Sequence, residues 1–143
     1  MRWLLFTTIA AVALGCRGEK KAAPVATAPP SGPVFEVKMT GNGTNKAAFE
    51  PATLTIPVGA TVRFINASGG PHNIAFWPDS IPAGGAAALR KGMPNPLTDL
   101  TGPFQTKQDE PYDVSFAGAP PGIYKGYCQP HTSLSMVITI TVQ

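Results

Sequence analysis

The sequence predicts an all-β domain, an antiparallel β-sandwich of about seven to eight short strands with one short helix or irregular excursion. Three observations carry that reading. Residues 34–143 repeatedly alternate apolar and polar side chains, the period of two that a half-buried strand requires. Clusters of Pro, Gly and Ser punctuate the runs, as in Pro57-Val58-Gly59, Ser68-Gly69-Gly70-Pro71 and Pro120-Pro121-Gly122. The segment is also of a common size for one domain around a single core, and it shows no internal repeat.

The elements follow in chain order. Residues 1–15 read as a secretory signal: Arg2 supplies a basic start, residues 3–14 are apolar apart from Thr7 and Thr8, and Gly15 is small. The run is too short for a membrane-spanning helix, which needs roughly 20 apolar residues. Ala13-Leu14-Gly15-Cys16 resembles the lipobox of bacterial lipoproteins, with Ala13 where Leu is more usual. It implies that Cys16 is lipidated and begins the mature chain. The alternative is an ordinary signal cut nearby, leaving Cys16 as a free thiol or a partner for Cys128, the other cysteine. Residues 16–33 then form a disordered tether rich in Ala, Pro, Lys, Gly and Ser. A chain exported across the cytoplasmic membrane, periplasmic or at the cell surface and held by a lipid anchor, is the expected outcome.

Within residues 34–143 the strands are expected at Phe35-Glu36-Val37-Lys38-Met39, Leu54-Thr55-Ile56, Val62-Arg63-Phe64-Ile65-Asn66, Ile74-Ala75-Phe76, Tyr112-Asp113-Val114-Ser115-Phe116, residues 123–127 and residues 136–142. Between them, residues 78–107 are an excursion. Ala86-Ala87-Ala88-Leu89-Arg90-Lys91 has helical propensity, but Gly84-Gly85 and Gly92 bracket it and limit it to one or two turns.

Charge narrows the function classes. The whole chain carries a formal +3. The domain itself is neutral, because Lys38, Lys46, Arg63, Arg90, Lys91, Lys107 and Lys125 balance Glu36, Glu50, Asp79, Asp99, Asp109, Glu110 and Asp113. The excess belongs to Arg2, Arg17, Lys20 and Lys21, so no nucleic-acid partner is expected for the domain. Those tether cations could sit beside anionic lipid headgroups or simply be solvated.

The developed chemistry lies in Tyr127-Cys128-Gln129-Pro130-His131-Thr132-Ser133-Leu134-Ser135-Met136, together with Pro71-His72-Asn73 upstream. Taken singly, each of these side chains is more simply read as core or surface packing. Together they offer one thiolate, two imidazoles and one thioether, the donor set of a mononuclear blue-copper electron-transfer site. The chain has two histidines, and this site takes both. Multicopper oxidation or nitrite reduction needs further histidine ligands, and a serine hydrolase needs a spare base. An enzyme is therefore not expected.

These two segments resemble the cupredoxin family, and more specifically its plastocyanin branch. Residues 49–66 look like that family's second and third strands, and residues 121–128 like its strand into the cysteine. The resemblance implies a Greek-key, cupredoxin-like sandwich binding one copper ion that cycles between Cu(I) and Cu(II). It assigns His72, Cys128 and His131 to a trigonal plane and Met136 to a long axial position. It gives the backbone amide of Asn73 a hydrogen bond to the copper thiolate, although Asn73 also reads as a turn residue. Tyr127 and His131 become candidate electron exits, and Tyr127 could equally be a ring covering the sheet edge. Redox proteins such as a cytochrome or copper enzyme are the implied partners of a monomer. Thr132-Ser133-Leu134-Ser135 lacks the family's usual glycines, and no long acidic run is present. A photosystem partner is thus not implied. The competing function is a copper carrier or scavenger that uses the same ligands without electron shuttling.

Overall fold

The chain is described here by a computed structural model covering residues 32–143. The expected signal at residues 1–15, the lipidation residue Cys16 and the expected tether as far as residue 31 lie outside the described residues. The folded part takes in Gly32 and Pro33, where the Pro33 carbonyl accepts from the Thr61 amide at 2.9 Å.

Alternation drives the strands, and they close into two four-stranded sheets. The first holds β1 (Val34–Gly41), β2 (Ala47–Glu50), β4 (Thr61–Asn66) and β6 (Pro111–Ser115) in the order β2-β1-β4-β6. The second holds β3 (Thr53–Ile56), β5 (Ala75–Phe76), β7 (Gly122–Tyr127) and β8 (Val137–Val142) in the order β3-β8-β7-β5. The expected β-sandwich is present, with one refinement. Strands β1 and β4 pair in parallel, as do β3 and β8, while the other pairings are antiparallel. Alternation reports which residues face the core; strand direction depends on where connections cross between sheets. One such crossing is Pro51-Ala52, between β2 and β3, and Pro51 has no amide to extend the β2 ladder.

The core is the set of inward positions from both sheets. Val37, Met39, Val62, Phe64, Val114, Tyr124, Ile138 and Ile140 are buried, and alternate residues along the same strands are not. Edge-to-face ring pairs join the layers, Phe116 with Tyr124 at 5.3 Å and Phe76 with Phe116 at 6.2 Å. Burying each such ring contributes about 1.5–3 kcal/mol.

Strand β2 was not among the expected strands. Its apolar signal is two alanines and the buried Phe49, too little to stand out in sequence. The short helix is present as α1 (Gly85–Gly92), which buries Ala88 and Leu89. Gly92 lets it approach β6, since a Cβ there would lie 1.9 Å from the Ser115 carbonyl oxygen.

The sandwich has two distinct poles. At one, Pro33 and Thr61 begin β1 and β4 side by side. At the other, Gly41 at the end of β1 meets Ser68, and a hollow lined by Gly41, Ser68 and Leu134 joins this edge to the loop after β7. Gly69 makes that pole possible. It has φ +70°, and a Cβ on it would fall 2.2 Å from the Gly41 carbonyl carbon. Gly69→Ala should therefore lower unfolding free energy by about 1–3 kcal/mol, read from the urea midpoint at an unchanged m value.

Candidate metal centre

Two connections bring the predicted ligands together. Cys128 and Met136 bracket the link between the antiparallel partners β7 and β8, whose register places Tyr127 opposite Val137. The Cys128 amide donates to the Met136 carbonyl at 3.0 Å, so the loop closes as the hairpin continues. Inside it, residues Gln129–Leu134 form 3-10 turns with a kink at His131, and Ser135 ends them in the left-handed region at φ 56°. His131 is thereby turned back over Cys128. Both Cys128 and Met136 are buried.

His72 arrives from between β4 and β5 and is held by backbone pairing. Its amide donates to Gln105 at 3.2 Å, and the Gln105 amide donates back to the His72 carbonyl at 2.8 Å. The excursion at residues 78–107 thus returns alongside the ligand, with Gly102 also donating to Ile74 at 2.8 Å. Two buried side chains fasten that return. Asn66 donates to the Gln105 and Lys107 carbonyls at 3.0 and 3.1 Å, and Gln105 donates to the carbonyls of Phe64 and Glu110.

The atoms that face one another are nitrogen and sulfur. One donor atom each from His72, Cys128 and His131 lies within 4.8 Å of the others. Cys128 Sγ is 3.7 Å from His72 Nδ1 and 3.5 Å from His131 Nδ1. The tautomer of His72 follows from its other edge. Nε2 lies 2.8 Å from the Ser68 carbonyl, which can only accept, so the proton sits on Nε2 and the Nδ1 lone pair faces the sulfur.

Burial acts on both protonation equilibria. It pushes the Cys128 thiol above its usual range, opposed by backbone hydrogen bonds from Asn73 and His131. Burial lowers the His72 pKa, against the Ser68 hydrogen bond that raises it, and nearby His131 lowers it further. A neutral imidazole is the form that can donate a lone pair to a metal.

Asn73 does more than start a strand. Its amide reaches the sulfur, and its side chain ties the two ligand segments together by accepting from the Gln129 amide at 2.9 Å and donating to the Gly102 carbonyl at 3.3 Å. Tyr127 lies outside the cluster, half-buried, and stacks on Trp77. Sequence reasoning did not single out Asn66, Gln105, Gln129 or Trp77. Gln105 in particular sits in the irregular excursion, where no periodicity marks a buried position.

Comparison with known proteins now adds what geometry alone does not. A family model described as copper binding proteins, plastocyanin/azurin family, matches residues 35–143. The chain belongs to that family. Similar relatives include plastocyanin of Prochlorothrix hollandica, 37% identical over 121 residues that cover 83% of this chain and 80% of the relative. Plastocyanin of Nostoc punctiforme is 37% identical over 116 residues, covering 79% and 76%. Among solved structures, oxidized plastocyanin from Dryopteris crassirhizoma aligns with TM-score 0.60 and 25% identity, over 76% of this chain and all of that one. The fold is thus cupredoxin-like, and the donor chemistry agrees with the family's metal. A thiol and a thioether suit Cu(I), imidazoles suit either oxidation state, and one copper ion is the cofactor.

The Asn73 link yields a direct test. Asn73→Ala leaves the buried Gln129 amide without its partner and should cost the metal-free protein about 1–3 kcal/mol in chemical denaturation.

Proposed function

We propose that this protein is an electron carrier outside the cytoplasm, passing single electrons between redox proteins. His72, Cys128, His131 and Met136 hold the copper, and the convergence of both Nδ1 atoms on Cys128 Sγ carries the reading. When bound, copper supplies one reversible electron through the Cu(I)/Cu(II) couple. The protein's part is to keep its donors in place while that charge changes. The Ser68 carbonyl fixes the His72 ring by its far edge, the Gln105 ladder fixes its backbone, and amides from Asn73 and His131 steady the sulfur. Such outer hydrogen bonds limit ligand movement between oxidation states, which is what fast electron exchange requires.

Burial separates this reading from a copper carrier or scavenger. His72 and Cys128 are 0% exposed and Met136 is 1% exposed, so a metal-accepting partner has little ligand surface to attack. His131 is the least buried of the set, on a loop with the exposed Pro130. A small apolar contact there fits the limited area that redox encounters bury. The partners on this reading are redox proteins such as a cytochrome or another copper protein, met by a monomer.

Residues 1–15 complete the reading as an export signal, with Cys16 lipidated and the following segment serving as a tether to the outer side of a membrane. Intact mass of the protein purified from its native membrane should give an acylated chain beginning at Cys16. A chain starting downstream with a free amine would remove the anchor.

The copper assignment is tested by a visible spectrum of the copper-loaded protein and a potentiometric titration of the same sample. An intense thiolate-to-copper band that bleaches reversibly with one electron is expected, and a colourless Cu(II)-treated protein with Cys128 intact would defeat it. Met136→Leu should raise the reduction potential while changing folding stability by less than about 1.5 kcal/mol, because the two side chains have similar volume. His72→Ala should weaken copper retention and alter the band.

A further inference from the structure

Beside the buried centre, the outer face of the second sheet carries an aromatic pair that ligand binding leaves unexplained. Tyr127, covalently next to Cys128, lies against Trp77 with ring centroids 4.5 Å apart and planes 17° from parallel. Strand pairing holds the two rings. Phe76 pairs with Gly126 and Ala75 with Tyr127, and the Trp77 amide donates to the Lys125 carbonyl at 3.3 Å. Both residues are half-buried, so each ring keeps part of its surface open.

The surroundings are apolar and without net charge. Val137, opposite Tyr127 in the register, is 44% exposed, and Ile123 on the same strand is 53% exposed. Ile81 and Pro82 line a shallow hollow with Ile123, where Asp79 and Lys125 contribute one charge of each sign. This shoulder stands on the side of the sandwich, apart from the loop that carries His131.

We infer that Trp77 is the outer end of a lateral electron port. It rests on the copper reading above. A one-electron metalloprotein with an uncharged apolar contact surface docks on the Trp77 shoulder. Its metal loses one electron, which crosses the stacked indole and phenol rings to the Cys128 backbone and reduces Cu(II) to Cu(I). An oxidised partner draws the electron back by the same route. No bond forms or breaks, and no proton moves. Because the shoulder bears balanced charges, association there is only weakly sensitive to salt.

A bland account is available, in which the stack only covers a strand edge and adds about 0.5–1.5 kcal/mol. Placing a photosensitiser beside the port separates the two. Both native histidines are ligands, so Asp79→His introduces a single free imidazole to which a ruthenium-bipyridyl complex can be attached. Lys46→His does the same near Leu134, at the ligand-loop pole. After a flash, electron arrival is read as bleaching of the thiolate-to-copper band.

From the Asp79 position, Trp77→Leu should slow arrival several-fold and Trp77→Phe should restore much of the rate. From the Lys46 position neither change should alter it. Equal rates from the Asp79 position with Leu or Trp at residue 77 would overturn the port while leaving the copper reading intact. A protein without the copper band would overturn both.

A copper-free measurement checks the stack itself. Near-ultraviolet circular dichroism should show an aromatic signal that Tyr127→Leu and Trp77→Leu each abolish. A signal indifferent to Tyr127→Leu would show that the rings do not stack in solution, and the port would fall with it.

Discussion

The hydrogen bond from His72 Nε2 to the Ser68 carbonyl decides what this centre can be. Four residues separate the partners, and between them the chain must turn sharply enough for a ring to reach its own upstream backbone. Gly69 supplies that turn through its positive φ and its close approach to Gly41. Once the proton is fixed on Nε2, the opposite nitrogen is committed to the interior. Everything else about the site, from the 3.7 Å approach to Cys128 to the neutral state favoured by burial, follows from that choice of edge.

The ligands themselves come from two separate stretches of chain, and a local hydrogen bond cannot hold them in register. That task falls to the excursion. Residues 101–105 run beside residues 72–75, fastened below by Asn66 and Gln105, so the least regular part of the chain makes the connection that the two sheets leave open. Gln105 Oε1 is buried without a partner, an energetic cost accepted within a network whose other groups are satisfied. Asn73 completes the frame from the other side by bonding to both Gln129 and Gly102.

How much of this could be read beforehand depends on the kind of signal each feature leaves. Strands with alternating burial, such as Tyr112 to Ser115 and Val137 to Val142, announce themselves, and a Cys-x2-His-x4-Met spacing is chemically conspicuous. Strand β2 did not, because two alanines and one Phe49 make a weak pattern. Parallel pairing of β1 with β4 was equally hidden, since direction is a property of connections and leaves no mark on alternation. The clamp on His72 uses main-chain groups and a glutamine in a loop, which composition cannot distinguish from any solvated turn. Sequence therefore revealed which atoms could bind, and the fold revealed what makes them rigid.

The polarity of β1 has a consequence for how such a domain is presented. Its first residues pair beside Thr61 while its last meet Ser68, so the strand spans the sandwich from one pole to the other, about 25 Å at the usual rise per residue. A leash joined ahead of Gly32 pulls on the pole remote from His131. Under tension or at rest, the domain hangs with its ligand loop outward, and the flank bearing Trp77 lies roughly along the line of the leash. A membrane attachment at that point would act as an orienting device, leaving one approach from above and another from the side.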